Sequence, residues 1–251
     1  AVKLVTEMLQ GEDAAMREAT LAAYTTSTDK ALQFAVASAL PSMKSSGQLI
    51  LLGVLADLPD VAARPALLSL AGPESDPSVR AAVIDCLGRH GEAADVPMLV
   101  RLAGTDQGAV AEAARTALDR LGKQGVDEAL VRLIESPEAS DRATVLGVLA
   151  SRRTAAALPT LVRLVSGTDA RLATEAAKAL GVMGQSQQLA ALTATIVGTD
   201  NAQLRTACEE AARSICTRAQ DKAAAADTLL SALGQAQQPP ARAALLRLLG
   251  Y

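Results

Sequence analysis

Apolar residues recur along this chain with two periods at once, a short one near 3.6 residues and a long one near 31. The ten-residue stretches that begin at Val79 (VRAAVIDCLG), Val110 (VAEAARTALD), Asp141 (DRATVLGVLA) and Leu172 (LATEAAKALG) follow one another at steps of 31. The same template reaches back to Gly47 and Met16 and forward to Leu204 and Ala241, so that the successive steps are 31, 32, 31, 31, 31, 32 and 37. Apolar side chains at offsets 0, 4, 7 and 8 of each copy fall on one face of a helix. Offset seven is often alanine (Ala23, Ala117, Ala179, Ala211), which predicts a position where a neighbouring backbone comes close.

A second helix is predicted between consecutive copies. The tetrapeptide LVRL stands at Leu99, Leu130 and Leu161, again 31 apart, and Pro65, Pro97 and Pro159 precede equivalent stretches. Proline is tolerated in a helix only in its first turn, so these prolines mark starts. Gly-Thr-Asp at Gly104, Gly167 and Gly198 marks ends. There the glycine suits a left-handed C-terminal cap and Asp106, Asp169 and Asp200 are expected to cap the helix that follows. Asp76, ahead of Pro77, does the same. No stretch has the two-residue alternation of a strand.

A lone helical hairpin cannot bury its apolar faces, whereas stacked neighbours build a continuous core. The expected fold is therefore all-α, a superhelical solenoid of about seven hairpins forming one continuous domain over residues 1–251. Asp76-Pro-Ser-Val-Arg80, the Ala-Ala that follows and Leu87-Gly88 resemble the HEAT repeat family, in particular the short HEAT-like repeats also seen in phycobilin lyases. The resemblance implies second helices that line a concave surface, and an Asp–Arg ladder between repeats. The Arg recurs as Arg17, Arg80, Arg142, Arg205 and Arg242 but is interrupted at Gln48, Ala111 and Ala173, while the Asp recurs at Asp13, Asp76 and Asp169. Residues 1–9 align with a second helix and Ala241–Tyr251 with a first, which suggests a segment of a longer protein or ends that pair with another copy. The long last step places extra residues around Cys216–Lys222, read as a longer turn, with a loop insertion on the edge of the binding face as the alternative.

Composition narrows the function. The 251 residues are 50% hydrophobic, about a fifth alanine and only 1% aromatic, with a formal charge of -3. Half-apolar composition excludes disorder, and scarce aromatics with net negative charge argue against nucleic acid. No apolar run is long enough to span a membrane. Cys86, Cys208 and Cys216 have no metal or redox spacing and read as buried thiols, which fit a reducing compartment such as the cytoplasm. The single histidine, His90, reads as a helix-end residue rather than a catalyst. On the second helices Arg101, Arg132 and Arg163 share one outward register and form a candidate stripe for carboxylates or phosphates. Asp127, Glu128 and Glu135 flank Arg132 and are expected to compete for it. The function expected is a non-catalytic scaffold, without cofactor or metal, that binds a protein or peptide, an acidic one if the arginines take part. The alternative, which comes from the resemblance, is a lyase-like or chaperone module acting on a cofactor-bearing partner protein.

Overall fold

The computed structural model of the protein describes residues 1–58, 63–122, 124–136 and 141–250. Within these residues the structure is helical, without strands, and the chain falls into two compact units, Ala1–Val126 and Asp127–Tyr251. The first contains α1 (Val2–Gln10), α2 (Ala14–Thr26), α3 (Lys30–Ser38), α4 (Ser45–Leu55), α5 (Arg64–Leu70), α6 (Pro77–His90), α7 (Val96–Thr105) and α8 (Gly108–Arg120). The second contains α9 (Val126–Glu135, which begins on the last residue of the first unit), α10 (Arg142–Arg152), α11 (Leu158–Val165), α12 (Ala170–Met183), α13 (Leu189–Gly198), α14 (Ala202–Arg218), α15 (Lys222–Gln235) and α16 (Pro239–Leu249). Even-numbered helices are the first helices of the repeat and odd-numbered ones the second. The fold is an all-α solenoid of HEAT-like hairpins.

Local chemistry explains where the helices begin. Asp76 accepts the Ser78 and Val79 amides at the head of α6, Asp169 accepts those of Arg171 and Leu172 at α12, and Asp13 accepts that of Met16 at α2. Each satisfies amides that the first turn leaves without partners. Pro65, Pro97 and Pro159 occupy the first turns of α5, α7 and α11, as their spacing predicts.

Two of the three Gly-Thr-Asp aspartates do other work. Asp106 leaves α8 to an uncapped start at Gln107 and instead accepts Arg80 Nη2 at 2.6 Å. Asp200 accepts Gln238 Nε2 at 2.8 Å, and Asn201 caps α14 in its place. A charge-assisted bond to an arginine is stronger than one to a neutral amide, which accounts for Asp106. The glycines of these motifs do not form left-handed caps. Gly104 and Gly198 lie inside α7 and α13, and positive φ among the described residues occurs at Gly108, Gly125 and Arg153. The long final step is not a loop either. It extends α14 to 17 residues and α15 to 14, where α12 and α13 have 14 and 10.

The recurring arginine closes each repeat on the helix before it. Arg17 donates to the Gly11 carbonyl at 2.8 Å, Arg80 to Ala71 at 3.3 Å, Arg142 to Ser136 at 3.1 Å, Arg242 to Ala236 at 3.3 Å and Arg205 to Thr199. These carbonyls lie at the C-terminal ends of second helices, where orphan acceptors and the helix dipole both favour a cation. At two of the three interruptions, those at Gln48 and Ala111, other donors stand in. Gln48 reaches the Leu40 carbonyl at 3.0 Å, and Arg115, one turn later, reaches Ala103 at 3.0 Å. Rungs between repeats form at Arg80–Asp106 and through Arg205, Gln238 and Asp200.

Offset seven behaves as the alanines predict. A Cβ placed on Gly88 would meet Ala117 Cα at 2.7 Å, and one on Gly181 would meet Ala211 Cα at 3.1 Å. Near the head of the first unit, α2 and α3 are tied by a reciprocal pair. The Tyr24 hydroxyl donates to the Gln33 carbonyl at 2.9 Å and Gln33 Nε2 to the Tyr24 carbonyl at 2.7 Å. Burial pushes the Tyr24 phenol up to about 12.

Cys86 and Cys208 are buried and Cys216 half-buried, all as free thiols. Burial pushes the first two up to about 12 and raises Cys216 less, with Lys222 pulling it back. A raised thiol stays protonated and unreactive at mildly alkaline pH. Titration of the native chain with an aromatic disulfide reagent at pH 8 is expected to label Cys216 alone, and all three cysteines once denaturant is added. Rapid labelling of Cys86 in the native chain would contradict this burial.

Candidate functional site

The three candidate arginines occupy the register that the sequence assigns them. Arg101 lies on α7, whose Val96, Leu99, Val100 and Ala103 are buried, so that it points away from the core. Arg132 lies on α9 and Arg163 on α11, both exposed, and the equivalent Glu7, Ser69 and Ala194 are exposed too. Arg101 belongs to the first unit, while Arg132 and Arg163 belong to the second.

The second unit brings the latter two helices together through one carboxylate. Arg163 Nη2 pairs with Glu135 Oε1 at 2.7 Å, and the Thr160 hydroxyl donates to the same oxygen at 3.2 Å. These two donors hold the Glu135 carboxyl below the ordinary glutamate range. Asp127, another residue expected beside Arg132, turns to Arg152 at 2.9 Å. Arg132 therefore has no ion pair among the described residues, and neither has Arg101. Glu135 is committed to Arg163 and Asp127 to Arg152, which leaves exposed Glu128, one turn before Arg132 on α9, as the carboxylate beside it.

Other features of the structure are architectural. His90 lies at the end of its own helix but its Nε2 sits 3.1 Å from the Leu55 carbonyl and 2.9 Å from that of Ala56, at the C-terminus of α4. It serves a helix end, as expected, but that of the preceding repeat. Among the described residues no group of three or more His, Cys, Asp or Glu is placed to hold a metal ion, and no helix is long and apolar enough to cross a membrane. A pocket of about 510 Å³ in the second unit is lined by turn residues that include Gln185, Ser186, Gln187, Gln220 and Asp221. Arg218 on its wall is spent on the carbonyls of Gly181 and Gly184, at 2.8 and 3.1 Å, so the pocket reads as a packed turn.

Ion pairs across one repeat escape a reading based on helical spacing. Arg64 donates to Asp95 at 2.5 Å, Arg120 to Asp85 at 2.6 Å, Arg89 to Asp57 at 3.2 Å, and Arg247 to both oxygens of Glu209 at 2.7 Å. Their separations of 31 to 38 residues lie near the repeat period, and opposite charges one period apart are the signal that would have found them.

No curated protein matches the sequence. Similar solved structures include human deoxyhypusine hydroxylase in complex with glycerol, 16% identical over 99% of this chain and 94% of that one with a TM-score of 0.41. They also include two engineered proteins. One is 17% identical over 98% of this chain and 82% of the other, with a TM-score of 0.42. The second is 16% identical over 88% and 99%, with a TM-score of 0.38. The family model for HEAT repeats matches residues 47–119 and 126–213, most of the chain. The 31-residue template, the capped and proline-started hairpins and this match together make the chain a member of the HEAT repeat family.

Proposed function

We propose that the protein is a non-catalytic scaffold that binds an acidic protein or peptide on the exposed face of its second helices, with Arg132 and Arg163 of the second unit, and separately Arg101 of the first, as contact residues. The observation that supports this most is the state of Arg132. It stands exposed on α9 without an ion pair among the described residues, while two of the three carboxylates beside it are engaged elsewhere, Glu135 by Arg163 and Asp127 by Arg152, and Glu128 is exposed one turn before it. A guanidinium that keeps its fork free offers two parallel donors to a carboxylate from outside. Next to it, Glu135 is paired with Arg163, so a ligand carboxylate reaches Arg163 only by displacing it. Arg132 is thus the leading anchor and Arg163 the secondary one.

The probe is a fluorescently labelled Asp/Glu-rich peptide, read by anisotropy at low and high salt. Arg132→Glu is expected to weaken binding about tenfold, as loss of a charge-assisted contact plus one repulsion requires. Arg163→Glu is expected to weaken it less. Equal affinity in Arg132→Glu and the parent chain would overturn the proposal.

A further inference from the structure

The second helices of the first unit carry an exposed apolar row headed by an aromatic ring. Phe34 on α3 is 50% exposed, pointing outward because Gln33, Val36 and Ala37 take the buried side of the helix. Pro65 on α5 and Pro97 on α7 follow at steps of 31 and 32 residues, at the same place in the repeat, and are exposed too. α3 packs against α5, and Arg64, beside Pro65, pairs with Asp95, two residues before Pro97, so the three helix starts are held side by side. In the second unit the place of the ring is taken by Glu128. Cations bracket the row. Lys30 lies one turn before Phe34 and Arg101 one turn after Pro97, both exposed and neither with an ion pair among the described residues. Asp29, beside Lys30, accepts the Leu32 amide at 2.9 Å, and Asp95 is held by Arg64.

Spacing and charge select the occupant. Packed helices lie about 8–10 Å apart. A polyproline II segment advances about 3.1 Å per residue with three residues per turn, so every third side chain returns to one side after about 9 Å. A β-strand returns a side chain to one face after two residues, about 6.6 Å, and falls out of step with the row. We propose that the outward face of α3, α5 and α7 binds a polyproline II segment of a partner protein. Apolar side chains at every third position of the segment rest on Phe34, Pro65 and Pro97, and carboxylates at its two ends pair with Lys30 and Arg101. The inference rests on the reading that second helices carry the binding face, and adds the conformation and residue spacing of the partner. Phe34 is the anchor, because an aromatic ring buries a large area and such side chains dominate interface energies.

The test uses the full chain and a labelled proline-rich peptide of about ten residues, with Leu at every third position and Asp at both ends, a length set by the row. Fluorescence anisotropy compares it with a permuted peptide of the same composition whose leucines are adjacent, and with the Asp/Glu-rich peptide. The regular peptide is expected to bind more tightly than the permuted one. Phe34→Ala, a change of an exposed side chain, should weaken it about tenfold and Phe34→Trp should not. Arg101→Glu should weaken it about threefold. Arg132→Glu should leave it unchanged, as Phe34→Ala should leave the Asp/Glu-rich peptide. Phe34-dependent binding of the regular peptide, with none of the Asp/Glu-rich one, would support this face and count against the Arg132 anchor. Equal affinity for regular and permuted peptides, or for parent and Phe34→Ala, would defeat the inference. So would binding lost only in Arg132→Glu, which would leave the arginine reading standing.

Discussion

Arg64→Met is expected to destabilise the first unit by about 3 kcal/mol, because it strands a buried carboxylate. The Asp95 side chain is 1% exposed and receives Arg64 at 2.5 Å through Nη2 and 3.5 Å through Nε. Its other oxygen contact is the Glu92 amide at 2.8 Å, which closes the turn before α7. Without the guanidinium that amide and the N-terminus of α7 remain, so the loss falls at the low end of the cost of breaking a buried pair. Arg89→Ala is the control. Arg89 bridges Asp57 and Asp85 at 3.2 and 3.4 Å from an exposed position, and its loss should cost less than about 1 kcal/mol. Adding Asp95→Asn to Arg64→Met should recover part of the stability, since a neutral amide needs no counter-charge. Guanidinium denaturation followed by hydrogen exchange at the amides of α5 to α7 reads all three. A loss in Arg64→Met no larger than in Arg89→Ala would refute the argument.

Local chemistry and periodicity carried most of this architecture into the sequence, because a solenoid is built from contacts one repeat away. The offset-seven alanines announced the close approach that Gly88–Ala117 and Gly181–Ala211 realise. Asp13, Asp76 and Asp169 cap helices because a capping side chain needs only the backbone two or three residues ahead. Asp106 and Asp200 share their motif with Asp169, yet bond across repeats to Arg80 and Gln238. Which of the two fates such an aspartate takes depends on a donor some 26 to 38 residues away, outside the window in which capping is decided. His90 shows the same limit, since its acceptor carbonyls lie 34 and 35 residues back. For the arginines, register was legible and pairing was not. Outward direction follows from the 3.6-residue period, whereas the diversion of Glu135 to Arg163 depends on how α9 and α11 pack.

One substitution should change sign with its place in the repeat. Gly53 and Gly88 both lie inside first helices of the first unit, α4 and α6, and alanine is favoured over glycine in a helix by about 1 kcal/mol. A Cβ on Gly53 meets nothing within 4 Å, so Gly53→Ala should gain most of that increment. A Cβ on Gly88 would lie 2.7 Å from Ala117 Cα and 2.8 Å from its Cβ. Neither atom can rotate aside, because both are fixed to the α8 backbone, so α6 and α8 must separate. Overpacking of this kind costs about 1–3 kcal/mol beyond the propensity gain, and the opened seam spreads to Val83, Leu87 and Leu118, which are buried there. Gly88→Ala is therefore expected to lower the denaturation midpoint while Gly53→Ala raises it. Pairing Gly88→Ala with Ala117→Gly removes the Cβ on the facing side but not Cα, and should recover only part of the loss. Midpoints that rise in both single variants would mean that α6 and α8 do not pack backbone to backbone, and the inter-repeat contact proposed from offset seven would fail with it.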